Sequence, residues 1–270
     1  MEKEDGVKRM PCGVKVKGVA LGLLLGVLGG QLFLPPPAEA FLGARYARLI
    51  KMAMKSASII GRSRKIISNR MIAELASMTV KEAGKVLGKM NLSKEMLEDV
   101  YLRILMKQKK ITLRQAEDLM KDLGGVDGFL STLRKASSGN AAQVTGHLFE
   151  LRIARAARNK GYDIVAIGKK FADPAKGGLT DADLIIRKNG KQYFVEAKSY
   201  GDVSWSSLPN FRADMDSLQE ASKAFGSGEK IFIISNKPSN AEVCRALEEA
   251  ARSRNVKLLF GAPERVLEVI

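Results

Sequence analysis

Two short acidic patterns, Asp181-Ala182-Asp183 and Glu196-Ala197-Lys198, stand on either side of Lys188-Asn189-Gly190-Lys191 in this 270-residue chain. Asn-Gly is the strongest short signal for a two-residue hairpin turn of type I′. Such a loop fixes the register: residue 188 faces 191, Asp183 faces Glu196, and Asp181 faces Lys198. Side chains alternate along a strand, so these four point to one face and leave Leu184, Ile186, Val195 and Ala197 on the other, apolar one. Facing Cβ atoms lie about 4.5–5.5 Å apart, where two carboxylates repel unless something compensates. A divalent cation does so naturally, because Mg²⁺ takes one or two carboxylates and completes its shell with water and phosphate oxygens. An ammonium beside it, that of Lys198, can orient a water molecule for attack.

The scarce residues narrow the chemistry further. With one histidine and two cysteines, the chain cannot build a zinc finger or a three-histidine metal site. Any metal must therefore sit on oxygen ligands. His147, inside a helical pattern, reads as structural or surface and receives no catalytic role. Cys244 reads as a small apolar core residue. The formal net charge of +16 favours an anionic partner, either nucleic acid or lipid headgroups.

Taken together, Glu150 in Gly146-His147-Leu148-Phe149-Glu150, Asp183 in Thr180-Asp181-Ala182-Asp183-Leu184, Glu196-Ala197-Lys198, and Gln219 in the following helix resemble the PD-(D/E)xK nuclease superfamily in its restriction-endonuclease-like and resolvase-like branch, over residues of about 140–260. The resemblance implies a metal-dependent endonuclease that hydrolyses phosphodiester bonds with Mg²⁺ or Mn²⁺. It implies Asp183 and Glu196 as metal ligands and Lys198 as the residue that positions the attacking water. Glu150 would be a further acidic ligand or an orienting group, and Gln219 a supporting group. The literal Pro-Asp is absent before Asp183. DNA is preferred to RNA on the resemblance alone. Trp205 either stacks on a base or anchors its loop.

The elements that must hold these residues alternate from residue 141 onward. Helical periodicity covers 142–160, 213–225 and 241–254, and strand patterns cover 162–167, 182–187, 192–197, 230–235 and 256–260. The expectation is an α/β fold: a mixed sheet flanked by helices, with a restriction-endonuclease-like core, preceded by an all-helical region. That region shows capping-box spacing at Thr79 to Glu82 and at Thr112 to Gln115, and Gly124-Gly125 stops the second helix.

Three parts follow: a signal peptide over 1–40, a basic helical region over 41–138, and a nuclease-like domain over 139–270. The first carries Lys8, Arg9, Lys15 and Lys17, the uncharged run Gly18–Leu34, and Ala38-Glu39-Ala40 as a cleavage site. The alternative is a membrane anchor at 18–34. Residues 41–140 hold 20 basic and 9 acidic side chains, residues 141–270 hold 20 and 16, and the stretch 41–70 has eight basic side chains and no acid. This basic stretch suits a membrane or envelope surface, nucleic acid or an acidic partner. The combined expectation is an exported nuclease, a toxin-like effector among the options, with an inhibitor protein as a further candidate partner. The competing reading is a catalytically inactive nucleic-acid- or envelope-binding protein on a nuclease-like fold.

Overall fold

A computed structural model describes residues 67–173 and 177–268. The expected signal peptide or anchor, and all but the last residues of the basic stretch 41–70, lie outside the described residues. No helix among the described residues is long and apolar enough to cross a membrane.

Among the described residues five helices come first: α1 (Asn69–Ser77), α2 (Val80–Gly88), α3 (Lys94–Lys107), α4 (Leu113–Leu123) and α5 (Phe129–Ser138). Both expected capping boxes form: Thr79 and Glu82 exchange hydrogen bonds at the start of α2, as Thr112 and Gln115 do at α4. Each satisfies two backbone donors that the first turn leaves open, worth about 1 kcal/mol. A third box, Asn140 with Gln143, opens α6 (Ala141–Asn159). The chain continues through β1 (Asp163–Asp173), β2 (Gly178–Lys188), β3 (Lys191–Lys198), α7 (Leu208–Phe225), β4 (Glu229–Ile234), α8 (Ala241–Ser253), β5 (Lys257–Phe260) and α9 (Pro263–Val266).

The strands form one sheet in the order β1-β2-β3-β4-β5, antiparallel through β3 and parallel from β3 to β5. This is the expected mixed sheet flanked by helices. β1 and β2 run several residues further than their sequence pattern suggested. Gly168, with φ +59°, followed by Lys169-Lys170, breaks the alternation, yet the strand resumes because Phe171 is buried in a core beyond it.

Two cores sandwich the sheet. The helices from α1 to α6 bury Leu105, Phe129, Leu133 and Leu151 in one continuous cluster with Leu184, Ile186, Val195 and Ile233. On the opposite face, α7 and α8 bury Phe211, Met215 and Leu247 against Ile185, Phe194 and Phe232. The hairpin face expected to be polar is therefore polar only at its open end. Nearer the turn, Ile185 and Phe194 are fully covered. A sheet buried on both faces reads as a nearly continuous apolar run, and Ile231-Phe232-Ile233-Ile234 is one.

The helical segment is seated on the sheet at one tight point. A Cβ on Gly128 would lie 1.6 Å from the carbonyl oxygen of Ile167, so only glycine fits there, and its φ of +83° demands glycine as well. The Ile167 amide donates to the carbonyl of Asp127 at 2.8 Å across the same contact.

Candidate active site

The hairpin follows the register its turn dictates from Lys188↔Lys191 to Leu184↔Val195, and the ladder stops there. Asn189 and Gly190 both have positive φ, as a type I′ turn requires. Beyond Leu184 the strands part. β3 continues along β4, with Glu196 level with Phe232 and Lys198 level with Ile234, while β2 stays with β1. Asp183 sits in the fork: its Oδ2 accepts the Ala197 amide at 2.8 Å, taking the place of a backbone acceptor. The register extrapolated to Asp181 and Lys198 is thereby corrected. Asp181 lies opposite Lys170 on β1, and its carboxylate pairs with Lys135 at 2.6 Å, not with Lys198. Once a side chain takes the next backbone donor, nothing holds the two strands in step.

Glu196 and Lys198 alternate onto the α7 side. The Lys198 ammonium lies 2.6 Å from Glu196 Oε1 and 2.8 Å from Asp214 Oδ2 of α7, and Glu196 is only 7% exposed. Burial alone would lower the lysine pKa, but Glu196, Asp183 and Asp214 together outweigh it and raise it, so the group stays cationic. Asp183 goes the other way. Burial, then Glu196, then Glu150 push its pKa well above the usual carboxylate range, against the opposing pull of Lys198 and the Ala197 amide.

Glu150 reaches the cluster from α6, 8% exposed, with Oε1 2.9 Å from Nδ1 of His147 one turn earlier. Lys135 comes from α5. Burial opposes its charge, but the hydrogen bond and charge of Asp181, and then Glu150 and Asp183, raise its pKa overall. Gln219 is not brought to this place. Its amide donates to the carbonyl of Arg254, and its Oε1 accepts from Lys230 Nζ at 2.8 Å, at the start of β4, whereas Lys198 lies level with the end of β4. Trp205 is 53% exposed in a short 3₁₀ turn ahead of α7, so it does not anchor its loop by burial.

Asp214, Lys135 and the His147 contact were not found from sequence. For Asp214 a signal existed: it immediately precedes Met215, a core position of a helix that had to cover the sheet. The other two had none, because nothing local says which helix meets the mouth of the hairpin.

The donor set suits a hard divalent ion. Asp183 and Glu196 could supply oxygen ligands of the kind Mg²⁺ takes, and the like-charge repulsion that adds to burial in raising the Asp183 pKa is what a cation would relieve. Among the described residues, no three His, Cys, Asp or Glu side chains are gathered as the ligands of one ion.

Comparison with known proteins agrees with the geometry. Residues 141–263 match the Mrr_cat family, described as restriction endonuclease. No curated protein and no solved structure matches the chain. The match spans the elements from α6 to β5, including the strands that carry Asp183, Glu196 and Lys198 and the helix that carries Glu150, and it places residues 141–263 among the restriction endonuclease domains of the PD-(D/E)xK nuclease superfamily.

Proposed function

We propose that the chain is a metal-dependent endonuclease that hydrolyses phosphodiester bonds, with DNA as the preferred substrate. The observation that carries this reading is the meeting of Asp183, Glu196 and Lys198 where β2 and β3 part, inside a domain of nuclease type.

Asp183 and Glu196 would hold the ion, with Glu150 beside them and kept in place by His147. A bound Mg²⁺ or Mn²⁺ would supply Lewis-acid polarisation of the phosphoryl oxygens. Lys198, kept charged by Glu196, Asp183 and Asp214, has no lone pair with which to take a proton from water. Its part is to donate hydrogen bonds: it orients the attacking water and stabilises the negative charge that builds on the phosphate. The water oxygen bonds to phosphorus and gives up its proton to bulk water, the bond to the leaving oxygen breaks, and that oxygen departs with a proton from solvent. Asp214 keeps the ammonium aimed when Glu196 turns toward an ion.

The test is incubation of the chain with plasmid DNA, single-stranded DNA and RNA, each with Mg²⁺, Mn²⁺ or EDTA. Cutting of DNA only with a divalent ion is the expected result. Binding without cutting under every condition would favour the inactive nucleic-acid-binding reading.

The proposal extends to export. It rests on the basic, apolar and small-residue order of residues 1–40, and it predicts a mature chain that begins at Phe41 outside the cytosol. N-terminal sequencing of material from the native host decides it, and a terminus at Met1 or Met10 in a membrane fraction would favour the anchor. A toxin-like role, docking of 41–70 to an envelope surface, and an inhibitor protein belong to the same proposal.

A further inference from the structure

We propose that Lys135, on α5 and outside the matched domain, is a phosphate-binding residue of the nuclease site, so that the helical segment completes the substrate groove. The inference deepens the nuclease reading and rests on it for the identity of the polyanion.

Position is the first argument. α5 is fixed to β1 at its start by the Gly128–Ile167 contact, by the Ile167 amide on the Asp127 carbonyl, and by Asp127 Oδ2 paired with Lys169 Nζ at 2.7 Å. Seven residues on from Gly128, two helical turns, the same face brings Lys135 Nζ to within 2.6 Å of Asp181 Oδ2. Asp181 lies two residues from Asp183, on the part of β2 that has left β3. Lys135 and Lys198 thus border the carboxylate cluster from opposite layers, one from the α5 side of the sheet and the other from the α7 side.

Access is the second. The side chains of Lys135 and Asp181 are 39% and 34% exposed, so the pair is open to solvent and to a ligand. Gly168 presents bare backbone beside it: even a Cβ there would stand 3.7 Å from Asp181 Oδ2 and 4.0 Å from Lys135 Nζ. An ammonium has three donors, and Asp181 takes one. A partly exposed ion pair of this kind contributes little to folding. To a nucleic-acid strand approaching the carboxylates of Glu150, Asp181, Asp183 and Glu196, however, it offers a second cation at the rim, more exposed than that of Lys198.

The test measures binding apart from cutting. Full-length wild type, Lys135→Gln, Lys135→Arg and Asp181→Asn are titrated against a short fluorescein-labelled DNA duplex in EDTA over a range of salt, with the duplex checked for integrity on a gel. Lys135→Gln should weaken binding about tenfold and flatten the salt slope by about one, and Lys135→Arg should restore both. Asp181→Asn should tighten binding, because it frees the ammonium and removes a negative charge from the groove. A purely structural pair predicts the opposite pattern: Lys135→Gln and Asp181→Asn would lower the melting temperature alike and leave the salt slope unchanged. That result would overturn the inference, as would wild-type affinity in Lys135→Gln, weaker binding in Asp181→Asn, or no binding by wild type. Should Lys135→Gln fail to fold, Lys135→Arg and Asp181→Asn still decide. If wild type binds but never cuts with Mg²⁺ or Mn²⁺, the nuclease reading fails while the role of Lys135 in binding is judged separately.

Discussion

The two ends of the β2–β3 hairpin are built from the same strands and differ in what satisfies the backbone. Near the turn, from Leu184↔Val195 to Lys188↔Lys191, amides and carbonyls pair with one another, and the alternating side chains fill two apolar cores. At the mouth, the Ala197 amide is taken by the Asp183 carboxylate, the strands separate, and the gap gathers Glu150, Glu196, Lys198, Asp214 and Lys135. A regular ladder leaves no room for chemistry. Replacing one backbone acceptor with a side chain opens that room and places a carboxylate where burial and like charge both act on it.

The largest effects should separate the two ends by activity. Asp183→Asn, Glu196→Ala and Lys198→Ala should each reduce Mg²⁺-dependent plasmid cleavage by about a thousandfold or more, since in the proposed mechanism each removes an ion ligand or the charge that stabilises the transition state. Lys191→Ala at the turn, 69% exposed, should cut like wild type. Full activity in both carboxylate variants would show that the mouth is not the reacting centre.

Stability should break the comparison from the other end. Phe194→Ala, beside the turn and fully buried, should cost about 3–5 kcal/mol in denaturant unfolding, because it empties the core under α7. Gly190→Ala should cost about 1–2 kcal/mol, since its φ of +77° strains any residue with a Cβ. A loss as large from Glu196→Ala would mean that the mouth also carries the fold.

The smallest effect sharpens the electrostatic contrast. Asp183→Asn keeps an oxygen for the Ala197 amide but removes a charge that burial, Glu196 and Glu150 disfavour. In metal-free buffer near neutral pH it should raise the melting temperature by about 2–4 °C, the effect of about 1 kcal/mol in a chain of this size. The folded pKa of Asp183 lies above its unfolded value, so its ionisation opposes folding above the folded pKa. As pH falls below that pKa the folded carboxyl takes its proton first, and the advantage of asparagine shrinks until it is gone below the unfolded pKa. Thermal melts of both proteins across pH, with and without Mg²⁺, check this, and saturating Mg²⁺ should reverse the order of stability.

Much of the turn end was legible. Asn189-Gly190 gives the turn type, the turn gives the register, and the apolar alternation assigns Leu184, Ile186, Val195 and Ala197 to one core. The capping boxes at Thr79 and Thr112 were equally readable, because all of these depend on residues a few positions apart. At the mouth, Asp183, Glu196 and Lys198 were legible as residues, but their partners were not. Turn spacing sets Asp181 against Lys198, whereas it pairs with Lys135, and the family resemblance puts Gln219 in the cluster, whereas it bonds at the other end of β4. The helical pattern reads His147 as structural or surface, whereas its ring contacts Glu150.

By itself, then, the sequence determined the order of the elements, the hairpin register near its turn, and the chemical character of a carboxylate and lysine site. Only the tertiary structure decided where the hairpin opens and which helices face the opening. The reason is physical: turn geometry and strand alternation are settled by neighbours along the chain. The end of a ladder and the docking of α5 and α7 depend on long-range packing, here on Gly128 closing against Ile167 and on a core that carries Asp214 to the ammonium of Lys198.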